Sequence, residues 1–139
     1  MSRYWKDVTE LTEAFTELFN RFMANPELSE KAGKLNQVVA FRYRDPDVQF
    51  WWDLREGHKE FGTGDPPAEF RVRLSLSGDD GHRSWSNKLN PVMAITRKKI
   101  QVEGNATGLL KLQPLLKKSA VIYDRVLDDL GMSEKKLRA

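Results

Sequence analysis

Residues 90–112 read NPVMAITRKKIQVEGNATGLLKL: a helix start, a strand, a tight turn and a second helix start in one short run. Asn90 can cap a helix whose first residue, Pro91, has no N–H to leave unpaired. That helix is predicted to run to about Arg97. Ile100 and Val102 then alternate with polar residues in a strand over 99–103, closed by a Gly104-Asn105 turn. The run contains no nucleophile set beside a base, no metal-ligand cluster and no phosphate-cradling glycine loop, and so points away from catalysis.

Upstream, Val8, Leu11, Phe15, Leu18, Phe19 and Phe22 recur at spacings of three and four, which predicts a helix capped by Asp7, with Glu10 reaching back. Asn25-Pro26 repeats the cap-plus-proline start and opens a second helix that stops at Gly33. The period then changes to two. Val39, Phe41 and Tyr43 form one side of a strand. Val48, Phe50, Trp52 and Leu54 form one side of the next, after an Asp45-Pro46-Asp47 turn. A short strand is expected over 58–61. The cleanest alternation is Phe70, Val72, Leu74 and Leu76 against Arg71, Arg73, Ser75 and Ser77. Such patterning predicts an antiparallel sheet with one wet and one covered face, sequential strands lying side by side. Gly78-Asp79-Asp80-Gly81 is read as a break, and 82–89 as a turn or poor helix. Residues 106–130 are predicted to be helical, bent or restarted near Pro114 and capped by Gly131, with a frayed charged tail over 133–139.

The segment NPVMAITRKKIQVEGN resembles, in ungapped register, the hallmark of the sterol carrier protein type 2 family: Asn-Pro, two variable residues, Ala-Phe, a Gly-Lys pair, then a strand closed by Gly-Asn. The LLKL that follows is similar to that family's leucine-rich helix opening. Two departures stand out. Ile95 replaces the usual Phe, and Lys98 replaces a frequent Gly, so the helix-to-strand turn is the point to check. The resemblance spans about residues 7–130. It implies an α+β fold: a five-stranded, antiparallel-rich sheet, helices covering one face, and an enclosed apolar cavity. It also implies a non-catalytic binder of fatty acids, fatty acyl-CoA or sterol-like lipids, with no cofactor and no metal.

On residue types alone, the covered sheet face (Phe41, Phe50, Trp52, Phe70, Val72, Leu74) and the facing helices (Phe15, Phe19, Phe22, Leu112, Leu116, Ile122, Val126) would pack as a dry core. The resemblance turns these residues, with Met93 and Ile95, into candidate cavity walls. It places Arg42, Arg44, Lys98 and Lys99 as candidates to meet a polar head at the rim. An empty cavity of about 300 Å³ would cost about 7 kcal/mol, comparable to a domain's whole stability. Such a cavity is therefore expected to be occupied or to close partly when empty. The final helix, loosened at Pro114, is the expected lid.

Two other readings stand beside the carrier. One is an accessory or oligomerisation module of the same fold, for which outward-facing Trp51 would mark a homodimer contact. The other is a small ketosteroid-type isomerase. For that, the only histidines are His58 and His82, with Asp53, Glu56 or Asp79 as carboxylates, and no motif frames them. A chain of 139 residues is expected to form one domain. The absence of cysteine excludes disulfide and thiolate chemistry. The first ten residues, MSRYWKDVTE, have no secretory apolar run, so a cytoplasmic location is expected. A net charge of +3 with acids interspersed argues against nucleic acid and leaves room for weak contact with an anionic membrane surface.

Overall fold

A computed structural model describes residues 2–137. Two helices open the chain. α1, Val8–Ala24, is capped by Asp7, whose side chain accepts the Glu10 N–H at 2.9 Å. The Glu10 carboxylate reaches one residue further back than a capping box requires, to the Lys6 N–H. α2, Pro26–Gly33, starts at the Asn25 cap as its sequence predicts.

Five strands follow in one sheet: β1 Val38–Arg44, β2 Val48–Asp53, β3 Glu60–Thr63, β4 Val72–Ser77 and β5 Gln101–Gly104. Their spatial order is β3-β2-β1-β4-β5. The sheet is mixed: β1 and β4 run parallel, and the other three pairings are antiparallel. The chain leaves β3 at one edge, crosses back, and lays β4 on the free side of β1 instead of beside β3. The sign of this lies in β1, where Val38, Val39, Ala40 and Phe41 are all buried, as befits a central strand paired along both edges. The Arg71 N–H donates to the Val38 carbonyl at 2.9 Å, and ladder pairing starts at Val39 and Val72. Phe70 therefore precedes the strand. It lies 5.0 Å from the guanidinium of the open-face Arg73, not among the covered residues.

β4 runs straight into a helix that its sequence hides. α3, Gly78–Trp85, is capped by Ser77, whose hydroxyl accepts the Asp80 N–H at 3.0 Å. Its two glycines, read as breakers, are there because the helix packs too tightly for a Cβ. At Gly81 that atom would meet the Tyr43 ring at 2.6 Å, and at Gly78 it would meet Leu11 at 2.8 Å. α4, Pro91–Thr96, starts at the Asn90 cap. After β5 come α5, Thr107–Leu110, a 3-10 turn over Gln113–Leu115, and α6, Leu116–Asp129, so the bend at Pro114 is present.

The tail departs from its reading. A second 3-10 turn, Ser133–Lys135, is docked, and Lys135 Nζ reaches Glu10 at 2.9 Å and the Tyr4 carbonyl at 2.8 Å. Residues 138 and 139 lie outside the described part. Among the described residues, no helix is long and apolar enough to cross a membrane.

Candidate functional site

The inner sheet face presents Val39, Phe41 and Tyr43 from β1, Phe50 and Trp52 from β2, and Val72, Leu74 and Leu76 from β4. α1 and α6 cover one half of it. There Phe15, Phe19, Phe50, Val72, Tyr123, Val126 and Leu127 are wholly buried, and Phe19 meets Phe50, Trp52 and Trp85 edge-on at centroid distances of 5.2–5.3 Å. This half is solid.

The other half contains a cavity of about 90 Å³. Its floor is Phe41, Tyr43, Trp52, Leu74 and Leu76 from the sheet; Phe22 closes it from the end of α1. α3 supplies Gly81, Ser84 and Trp85, while Pro91, Ile100, Leu109, Leu110, Leu112, Gln113, Leu115 and Leu116 form the roof. No lining residue is charged. The polar atoms are few. The Trp85 indole N–H donates to the Tyr43 hydroxyl at 3.1 Å, while Trp52 Nε1 and Ser84 Oγ are buried without a hydrogen-bond partner. Burial pushes the Tyr43 hydroxyl well above its usual pKa, so it stays neutral.

Of the residues proposed from sequence, Phe22, Phe41, Trp52, Leu74, Leu112 and Leu116 stand on this wall. Phe15, Phe19, Phe50, Val72 and Val126 lie in the solid half, Ile95 and Ile122 pack partly buried against the core, and Met93 is half exposed. Phe70 is apart from both. Trp85, Ser84 and Gly81 carry no wall signal in the sequence, where 78–81 reads as a break and 82–89 as a turn or poor helix. The signal for the helix itself is Ser77 followed three residues later by Asp80, a helix-start pattern. Tyr43 and Leu76 also stand on the wall outside the set proposed from sequence, although both are in phase with their inward-facing neighbours.

The roof is lightly held. α5 buries none of its side chains and α4 buries only Ala94. By contrast α6, the expected lid, is anchored by Ser119, Tyr123, Val126 and Leu127. Arg42 and Arg44 point away from the cavity: they share the open sheet face with Gln49, Ser75 and Ser77. Lys98 and Lys99 are exposed just after α4.

Neither histidine lines the cavity. His82 is fully buried, its Nε2 2.7 Å from the Lys135 carbonyl and its Nδ1 2.6 Å from the Tyr123 hydroxyl. A carbonyl only accepts, so Nε2 carries the proton and Tyr123 donates to Nδ1. Burial depresses the His82 pKa to about 4, and the ring is neutral. His58 is exposed, 3.5 Å from Asp53, and Arg55 grips that carboxylate through two guanidinium hydrogen bonds and one from its backbone N–H and holds it below the usual range.

A family model described as the SCP-2 sterol transfer family matches residues 15–117. Among curated proteins, the hydroxysteroid dehydrogenase-like protein 2 of Bos taurus is 33% identical over 91 residues, which are 64% of this chain and 22% of that one. The chain thus corresponds to about a fifth of that relative's length. Among solved structures, apo sterol carrier protein 2 from Yarrowia lipolytica superposes with a TM-score of 0.60 at 19% identity, covering 78% of this chain and 94% of that one. A stereoselective inverting sec-alkylsulfatase from Pseudomonas superposes at 0.54 and 18% identity, over 63% of this chain and 14% of the enzyme. At these identities the structural likeness is one of fold, with a mixed five-stranded sheet under helices; the family model carries the assignment further, and the chain belongs to the SCP-2 sterol transfer family.

Proposed function

We propose that the chain binds the alkyl part of a lipid in the cavity beneath α4 and α5, and that it does so without chemistry. The observation that carries this is an apolar, uncharged pocket beneath two short helices, of which α4 fully buries only Ala94 and α5 no side chain, next to a core half that is solid. Leaving about 90 Å³ empty costs about 2 kcal/mol at ~24 cal/mol per Å³, against about 7 kcal/mol for a 300 Å³ pocket. The empty chain is therefore the closed state, and a ligand opens it. Burial of each methylene returns about 0.8 kcal/mol, so about ten of them supply about 8 kcal/mol to displace the roof.

This favours a linear acyl chain over a sterol. A flexible chain threads in one methylene at a time, whereas a rigid fused ring needs the whole volume at once. With no charge on the wall, an ionised carboxylate would be costly to bury. The head group of a fatty acid or acyl-CoA stays at the mouth, near exposed Lys111.

Native mass spectrometry and solvent extraction of freshly purified protein test the reading. A one-to-one fatty acyl adduct is the expected result. After delipidation, calorimetry with palmitate is expected to show saturable binding stronger than with cholesterol. An empty protein that takes up neither would overturn the reading.

A second reading rests on the small share of its relatives that the chain covers, 22% of one and 14% of another. In it, the same pocket serves as an accessory unit that holds lipid for a neighbouring catalytic domain. Joining the chain to such a domain is then expected to lower the KM for a lipid substrate and leave kcat unchanged.

A further inference from the structure

Charge is distributed very unevenly along this chain. Residues 86–118 hold Lys88, Arg97, Lys98, Lys99, Lys111, Lys117 and Lys118 against a single acid, Glu103. That is a local excess of six positive charges in a chain whose net is +3, so the remainder is negative. Glu103 is taken by Arg73 at 2.7 Å, and Lys118 pairs with Glu27. The other six cations make no ion pair among the described residues. This segment is also the one that roofs the cavity.

Within the same segment, α4 turns two apolar side chains to solvent, Val92 and Met93, 46% and 50% exposed. They follow Pro91, which lines the cavity, while Ala94 in the same helix is buried. Leu109 and Leu110, also on the cavity wall, are partly buried. The result is a small apolar tip beside the mouth, flanked by unpaired cations.

We propose that the α4–α5 face docks on an anionic phospholipid bilayer, with the cavity mouth toward the head groups. Cations near such a leaflet each strengthen association about fivefold. An apolar tip set among them can sink into the boundary between head groups and acyl chains, which an acidic protein or a nucleic acid does not offer. The docked orientation lets an acyl chain pass between membrane and cavity without crossing water; this last step rests on the lipid-binding reading, and the docking does not.

The test is cosedimentation of the full chain with vesicles of phosphatidylcholine, alone or with about a third phosphatidylserine. Binding is expected only with phosphatidylserine and is expected to weaken with salt. Lys98→Ala with Lys99→Ala should reduce it roughly thirtyfold. Val92→Ser with Met93→Ser should reduce it severalfold and leave the salt slope unchanged. Arg42→Ala with Arg44→Ala removes the same charge from the opposite sheet face and should leave binding as it was.

Equal loss in the Arg42/Arg44 variant would mean attraction by net charge alone and would overturn the proposal. Indifference to the Val92/Met93 change, together with equal retention on a lipid-free polyanion, would also overturn it and assign the face to an acidic macromolecule. Calorimetry of the wild-type protein with palmitate separates the two proposals. Palmitate binding without vesicle binding removes the docking alone, and vesicle binding without palmitate binding removes the carrier reading alone.

Discussion

Lys98 shows how a single residue can keep a motif's geometry while breaking its letters. α4 ends with the Lys98 N–H on the Ile95 carbonyl at 3.0 Å and the Lys99 N–H on the Ala94 carbonyl at 2.8 Å, the paired bonds of a Schellman cap. The residue at the centre of such a cap adopts the left-handed conformation, and Lys98 has φ of +62°. α6 solves the same problem with Gly131 at +75°, and α3 with Asn87 at +58°, both residue types that enter that region readily. The family's frequent glycine at this position was legible in the sequence, and so was its replacement. That the turn keeps its shape around a lysine was not, because spacing carries no φ angle. Lys98→Gly relieves the Cβ conflict and is expected to raise the unfolding free energy by about 1 kcal/mol, read from urea midpoints at unchanged m. Gly104 is the opposite case: at φ of +89°, a Cβ would stand 2.1 Å from the Arg71 carbonyl oxygen. Gly104→Ala is expected to destabilise by more than about 2 kcal/mol and to loosen β5 first, seen as faster amide exchange over 101–104.

At the scale of elements, periodicity located α1 and the inner faces of β1, β2 and β4, because each buries one regular stripe, while the Asn-Pro caps located α2 and α4. It failed where burial is not periodic. α3 has glycines where it touches its neighbours and contributes Trp85 instead of an aliphatic stripe, so no helical pattern appears. The parallel pairing of β1 with β4 was hidden for a related reason: connection length favours neighbours, and only the unbroken burial of residues 38–41 argues for a central strand. α3 also offers a direct test of the cavity. Ser84 lies on its wall and its hydroxyl has no partner. Ser84→Leu removes that unsatisfied group and puts carbon into the empty space. It is expected to raise stability by about 1 kcal/mol and to weaken palmitate binding about tenfold, since filler and ligand compete for one volume.

Across the whole molecule, the helices divide the labour. α1 and α6 make a solid half that supports the fold, and the short α4 and α5 roof the half that holds the cavity. The sequence showed enough apolar residues to build both halves and nothing to separate them. A wall residue and a core residue are the same residue type at the same spacing. The solid half is fastened at His82, which brings together the first residues, α3, α6 and the tail. Tyr4 and Trp5 pack on its ring, Tyr123 and Lys135 occupy its nitrogens, and Asp79, Arg83 and the Lys135 ammonium act on it through their charges. The folded ring resists protonation down to about pH 4, whereas the unfolded one takes a proton near 6.5. Between these values the unfolded state binds more protons, so stability is complete above 6.5 and falls as the pH is lowered toward 4, by as much as about 3 kcal/mol. Urea titrations at pH 7 and pH 5 should show the drop in the wild type and a flatter response in His82→Leu.

Trp52 and Trp85 stand on the cavity wall with their ring centroids 6.0 Å apart, while Trp5 meets His82 edge-on and Trp51 covers Gly62 on the open face. The cavity therefore holds its own pair of chromophores, and the other two indoles serve as a built-in reference. Fatty acids brominated at successive carbons would dim the first pair selectively, and the bromine position that dims most would measure how deep the tail has travelled.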